Sequence, residues 1–333
     1  MKVLAGLATL VAAVVAAGCG GGEDGPLTIY SGREEELVAP LYEMFTEETG
    51  IEVEVRYGDS AELAATIAEE GESSPAHVFY AQDTGSLGAV ESELARLPTE
   101  ILDRVDERFR DGDGRWTGTS GRSRVIVYNT DALSEDEVPD SVFDLTEPAW
   151  QGRIGIAPTN ASFQAFVTAM RLSEGDERTR QWLEGVRAND PKEYPKNTPI
   201  VEAAAAGEID VGLVNHYYLY LVKAEQPDAP VANHFLETGD PGALVSVAGA
   251  ATLSSSDQQD DAERFVEFLL SEEGQRFYVD EAEEAEYPLV EGIEPKEGLP
   301  PLAELQGPDV DLTSFGAEHE ATIELLRETG YLT

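Results

Sequence analysis

The feature that most limits the fold of this chain is an alternation of short apolar runs with helical repeats. "LTIYS" (27–31) is a compact apolar run, and the "REEELVAPLYEMFTEETG" that closes at residue 50 sets Leu37, Leu41, Met44 and Phe45 at helical spacing. Pro40 falls inside that repeat, which predicts a kink or a late start. "IEVEVRY" (51–57) alternates Ile51, Val53, Val55 and Tyr57 with polar residues, as a half-buried strand does, and the helical "AELAATIAEEG" follows. "HVFYA", "SRVIVYN" and "RIGIA" continue the alternation, which is the pattern of parallel sheets covered by crossover helices, an α/β fold. At 333 residues the chain is long enough for two domains. Ligands of such sheets bind where strand ends turn into helices. Four turns qualify: "YSGRE", "YAQDTGS", "APTNASF" and "VNHYY".

The N-terminus predicts export. Lys2 precedes "VLAGLATLVAAVVAAG", an apolar stretch of small residues ending at the only cysteine, Cys19. A membrane span usually needs about 20 apolar residues with anchoring flanks, and the glycines and acids that follow anchor poorly. "AAGC" resembles the bacterial lipobox, which would make Cys19 the lipid-modified first residue of the mature protein. The expected layout is a signal peptide over 1–18 and a lipid-anchored flexible tether over 19–25, "GGGEDG" being its flexible part. The protein would then sit on the outer face of the cytoplasmic membrane or in the periplasm. One cysteine leaves neither a disulfide nor a thiolate metal site. The 66 acidic residues against 22 basic ones give a formal charge of -44, which repels nucleic acid and anionic membrane surfaces and reads first as a heavily solvated surface.

Catalytic signatures are missing. There is no GxSxG, HExxH or GxxxxGK[ST], and His77, His216, His234 and His319 lie far apart in sequence. "DGDG" (111–114) has Arg122 where a calcium loop needs its twelfth-position glutamate, so it reads as a turn. "APTNASFQAF" offers more: Asn160 is a good N-cap, and Ala161 and Ser162 open a helix whose free N–H groups suit an anion, as those of any capped helix do. Arg122 and Arg124 are two apart, on one face if extended, and would hold either a small oxyanion or surface carboxylates. Tyr217 and Tyr218 end an apolar run, where a change from strand to helix lets both phenols enter one cleft. A phenol needs a strong cation nearby to ionise at neutral pH, and hard, oxygen-seeking ferric ion is one. The alternative is that Tyr217, Tyr218 and Tyr220 cover core or stack on a sugar or other organic ligand.

With these segments assembled, the chain resembles the periplasmic and lipoprotein ferric-ion-binding proteins of bacterial ABC importers from about Leu27 to its end. The likeness rests on "LTIYSGREEELV", "HVFYAQDTGSLGAV", "WTGTSGRSRVIVYNTDAL", "APTNASFQAFVTAM" and "NHYYLY", in that order. It implies a two-lobed, periplasmic-binding-protein-like (type II) fold with two crossover hinge strands near 120–127 and 245–252. The N-terminal lobe would comprise 26–123 and 249–298, the C-terminal lobe 124–248 and 299–333. It also implies Fe(III) held between the lobes by the Tyr217 and Tyr218 phenolates with a synergistic anion, phosphate or carbonate.

Carried over by residue, the anion cradle falls on Asn160, Ala161 and Ser162, with Asn197 and Asn215 as donors and Arg122 or Arg124 as charge partner. The first lobe departs from the family pattern. Glu34 stands where many members have histidine, and Gln82 where they have glutamate. Glu34 would give oxygen to iron or simply support the helix dipole, while neutral Gln82 is a poorer ligand. The implied role is capture by lobe closure and delivery to an ABC permease by a monomer that is not an enzyme. The same scaffold could instead bind a phosphonate, polyamine or oxyanion, and an exported enzyme is the more distant reading.

Overall fold

A computed structural model describes residues 25–281 and 285–333. The expected signal peptide, Cys19 and nearly all of the tether therefore lie outside the described residues. Among the described residues no helix is long and apolar enough to cross a membrane.

In chain order the elements are β1 Leu27–Ser31, α1 Glu35–Thr49, β2 Val53–Tyr57, α2 Ser60–Glu70, β3 Val78–Ala81, α3 Thr84–Ala89, α4 Thr99–Leu102 and the long β4 Thr117–Asn129. Then come β5 Ile154–Ile156, α5 Ala161–Glu174, α6 Asp176–Ala188, β6 Lys192–Glu193, α7 Asn197–Ala205, β7 Val211–Asn215, α8 Tyr218–Glu225 and β8 Val231–His234. The last are β9 Val245–Thr252, α9 Gln259–Leu269, α10 Glu272–Arg276, β10 Tyr287–Pro288 and α11 Phe315–Glu328.

Local chemistry explains most of these bounds. α1 turns its Val38, Leu41, Tyr42 and Phe45 inward and stops at Gly50, whose φ of 76° suits glycine and whose N–H closes on the Thr46 carbonyl. It runs from Glu35 through Pro40 without a late start, Pro40 lying exposed on the outer face. β2 alternates half-buried and exposed residues, as its sequence does, because it is the outermost strand of the sheet.

The sheet runs β2-β1-β3-β9-β4-β7-β5-β6, with β8 and β10 also pairing with β4. The β2-β1-β3 and β7-β5-β6 flanks are parallel, as the strand-helix alternation predicts. The middle is not: β9 runs antiparallel to β3 and β4, and β4 runs antiparallel to β7. A continuous apolar run looks the same in either direction, so the sequence pattern misses this reversal. β4 joins the two halves. Its residues up to Ser123 pair with β9, and from Arg124 onward with β7.

The apolar residues separate accordingly. Leu27, Ile29, Phe45, Phe79 and Trp116 pack with Val247, Phe265 and Phe268, and Leu312 and Phe315 join them. Beyond the midpoint of β4, Phe163, Phe166, Trp182 and Leu213 form a second core with Leu325, Leu326 and Tyr331, while Val127, Ile200 and Val214 form a third. α11 thus begins against the first core and ends against the second. Each fully buried large side chain contributes roughly 1.5–3 kcal/mol, and here they hold α5 rigidly, with Phe166 edge-on to Trp182 at 5.2 Å.

Candidate ferric site

β7 is buried along its whole length and ends at Asn215, after which His216 and Tyr217 turn the chain into α8. Tyr217 has helical backbone angles, φ -70° and ψ -23°, so the strand alternation that would separate neighbouring side chains has already ended. The Tyr217 and Tyr218 rings stack, with centroids 4.2 Å apart and planes at 30°. Tyr217 is buried and Tyr218 half-buried.

Beside them lies a connected polar cluster. Asn160 caps α5, its Oδ1 accepting from the Ser162 N–H at 3.0 Å and from the Ser162 hydroxyl at 2.6 Å. Asn197, fully buried at the start of α7, donates from Nδ2 to Asn160 Oδ1 at 3.2 Å and to Ser162 Oγ at 3.0 Å. Arg124 donates from Nη1 to Ser162 Oγ at 3.0 Å and to Asn215 Oδ1 at 3.5 Å, and from Nη2 to the Leu213 carbonyl at 2.9 Å. Its guanidinium also lies over the Phe163 and Phe166 rings, at 5.8 and 5.6 Å. Ala161 is exposed at the first turn of α5. Arg124 Nε and Asn197 Oδ1 are buried without hydrogen-bond partners. Burial pulls the Arg124 pKa down to about 9, and the Tyr218 and Tyr217 phenols pull it back up, so it is charged at neutral pH.

The buried Arg124 guanidinium has no carboxylate partner among the described residues. It is stabilised when an anion joins it, and it lowers the cost of placing one there.

Arg122 and Arg124 part company, although two residues on one strand share a face. The chain passes from one half of the sheet to the other between them, so their surroundings differ. Arg122 donates to the Gln82 carbonyl, and its Nε lies 3.8 Å from Glu286 Oε1. Arg33 Nη2 donates to Glu286 Oε2 at 3.1 Å and Arg33 Nη1 to Ser120 Oγ at 3.2 Å. Burial pushes the Glu286 pKa up, but Arg33 and Arg122 outweigh it and hold the carboxyl below its usual range.

Glu34 is exposed at the start of α1 and makes no side-chain capping bond. Gln82 is half-buried, with its N–H on Ser60 Oγ at 2.9 Å. Among the described residues neither side chain is hydrogen-bonded to the tyrosine cluster. No group of three His, Cys, Asp or Glu residues among the described residues could hold a metal ion.

Sequence reasoning missed Arg33, His216 and Glu286. Arg33 and His216 stand inside two of the turns singled out, but nothing in either turn marks them. Glu286 lies 253 positions from Arg33 in an acid-rich stretch, and no sequence signal could have picked it out.

Residues 73–311 match the model of a family described as bacterial extracellular solute-binding protein. The chain is 36% identical over 310 residues to the major ferric iron-binding protein of Neisseria meningitidis serogroup B, covering 91% of this chain and 92% of that one. It is 33% identical over 313 residues to the Fe(3+)-binding periplasmic protein of Serratia marcescens, covering 93% and 91%. Iron-bound HitA from Pseudomonas aeruginosa superposes with a TM-score of 0.82 at 37% identity, over 92% of this chain and 99% of that one. The fold is therefore the two-lobed one of these binding proteins, and the chain belongs to the bacterial extracellular solute-binding protein family.

Proposed function

We propose that this protein captures ferric ion outside the cytoplasm and hands it to an ABC-type importer. Tyr217 and Tyr218 supply two phenolate oxygens from one lobe. A small anion, phosphate or carbonate, sits against Asn160, Ala161, Ser162, Asn197 and Asn215, with Arg124 as its charge partner. The observation that carries this reading is the stacked tyrosine pair facing the buried Arg124, an arrangement completed by a trivalent cation and an anion together. The relatives' names, which refer to ferric iron, support the same choice of cargo.

Arg122 belongs with Glu286 in this reading rather than with the anion. Glu34 and Gln82 are the donors assigned to the opposite lobe, Glu34 the stronger because it is charged. The lobes comprise roughly 26–123 with 249–298 and 124–248 with 299–333, α11 lying across both. They close about β4 and the start of β9. The protein acts as a monomeric binding protein rather than an enzyme, anchored through a lipid on Cys19 and docking on a permease in the cytoplasmic membrane.

The test is addition of ferric citrate to purified protein in the presence of phosphate or carbonate. A visible phenolate-to-iron charge-transfer band is expected, and its absence under every anion would refute the reading.

A further inference from the structure

His216, the residue before the tyrosine pair, is fully buried, and every polar atom it has is engaged. Its N–H donates to the Ser123 carbonyl at 2.9 Å, and its carbonyl accepts from Asn233 Nδ2 at 2.7 Å. Nδ1 accepts from the Ser123 N–H at 3.2 Å, which requires a lone pair there. Nε2 therefore carries the proton and donates to the Ala285 carbonyl at 2.9 Å. The ring lies between two phenols, 4.8 Å from the Tyr287 ring and perpendicular to the Tyr217 ring at 5.9 Å.

Ala285, Glu286 and Tyr287 do three different things in three consecutive positions. Ala285 presents its carbonyl to His216, Glu286 places its carboxylate between Arg33 and Arg122, and Tyr287 covers the imidazole face. Ala285 adopts φ 51°, a left-handed conformation that costs an alanine about 1 kcal/mol and that the surrounding contacts must hold. Tyr287 pairs with Gly121 on the part of β4 that belongs with β9. The segment is thus fixed to one half of the sheet while its carbonyl grips the tyrosine turn of the other.

We propose that His216 is a positioning residue: it locks Tyr217 in register with the 285–287 segment, and through Glu286 links the tyrosine turn to the Arg33 and Arg122 wall. An apolar side chain here would fill the space but would strand the Ser123 N–H and the Ala285 carbonyl, so packing alone does not ask for histidine. The inference rests on the ferric reading above, since Tyr217 matters only if it is a ligand.

Two substitutions separate the two bonds of the ring. In His216→Asn the shorter amide keeps an acceptor for Ser123 but no longer reaches Ala285. In His216→Gln the amide nitrogen regains the Ala285 carbonyl. Ferric affinity in phosphate, the position of the charge-transfer band and the thermal midpoint of the iron-free protein are measured for all three proteins. The expected result is that His216→Asn weakens ferric binding about tenfold and shifts the band, while His216→Gln recovers both to within about threefold of the parent, whatever the two thermal midpoints are. Equal affinity and an unchanged band in both variants would overturn the proposal. So would equal losses in both, which would mark His216 as core packing only. A parent protein that never colours would sink the ferric reading and this one together; a parent that colours alongside an indifferent His216→Asn sinks this one alone.

Discussion

The Arg124 guanidinium donates to Ser162 Oγ at 3.0 Å, tying the strand shared by both halves of the sheet to the first turn of α5. That bond places a positive charge where the capped helix start already favours an anion, and within electrostatic reach of the Tyr218 and Tyr217 phenols.

Replacing Arg124 should therefore separate stability from binding. Arg124→Met removes a buried charge that has no carboxylate partner among the described residues, which offsets part of the cost of leaving the Leu213 carbonyl and Asn215 Oδ1 without this donor, so the thermal midpoint of the iron-free protein is expected to fall by only several degrees. Ferric affinity in phosphate should fall at least about tenfold, because a charge-assisted anion contact is lost. Paired differential scanning calorimetry and ferric titration check this, and a large loss of stability with unchanged affinity would reverse the assignment.

The opposite pattern is expected at Glu286. Its carboxylate is the described counter-charge in contact with both Arg33 and Arg122, all three being buried. Glu286→Gln should destabilise the iron-free protein by about 3–5 kcal/mol in urea unfolding, the usual cost of removing one member of a buried ion pair. The parent carboxyl titrates below its ordinary range, so this stabilisation is present at neutral pH and is lost only as pH falls through that depressed value.

His216 makes an acid-sensitive contribution of its own. Burial pulls its pKa from 6.5 down to about 4, against opposing pulls from the Ala285 carbonyl and the Glu286 charge, with Arg122 also facing it. Between about pH 6.5 and pH 4 the unfolded chain binds a proton that the folded chain refuses, so folding stability falls as pH is lowered through that window. Relative to His216→Gln, the iron-free parent should lose roughly 3 kcal/mol across it. Identical slopes for the two proteins in urea unfolding from pH 7 to pH 4 would contradict the buried neutral imidazole.

A net charge of -44 repels itself. Raising salt from about 0.01 M to 1 M shortens the screening length from about 30 Å to 3 Å, so the thermal midpoint should rise by several degrees. A flat or falling midpoint in sodium chloride would show that the acidic surface is already neutralised locally.

How much of this was legible in the chain varies with the range of the interaction. β1, β3 and the helical run of α1 are local patterns, and they lie where the periodicity puts them. The tyrosine pair was legible too, because a turn after an apolar run relieves the objection that neighbouring side chains diverge. β4 was only half visible: "SRVIVYN" announces a strand, while the preceding "TGTSG" has no apolar period yet is buried by β9. The different surroundings of Arg122 and Arg124 depend on where that strand changes partners, and a period of two says nothing about partners. The contact of Glu286 with Arg33 joins residues that only the finished fold brings together.

The most direct test is a ferric titration of the parent beside Tyr217→Phe with Tyr218→Phe, each followed in the visible region with phosphate or carbonate present. The parent should develop a phenolate-to-iron band and bind one ferric ion per chain. The double variant should stay colourless and bind at least about a hundredfold more weakly, with its circular dichroism unchanged. Full ferric affinity in the double variant, or a parent that remains colourless with every anion, would contradict the phenolate site.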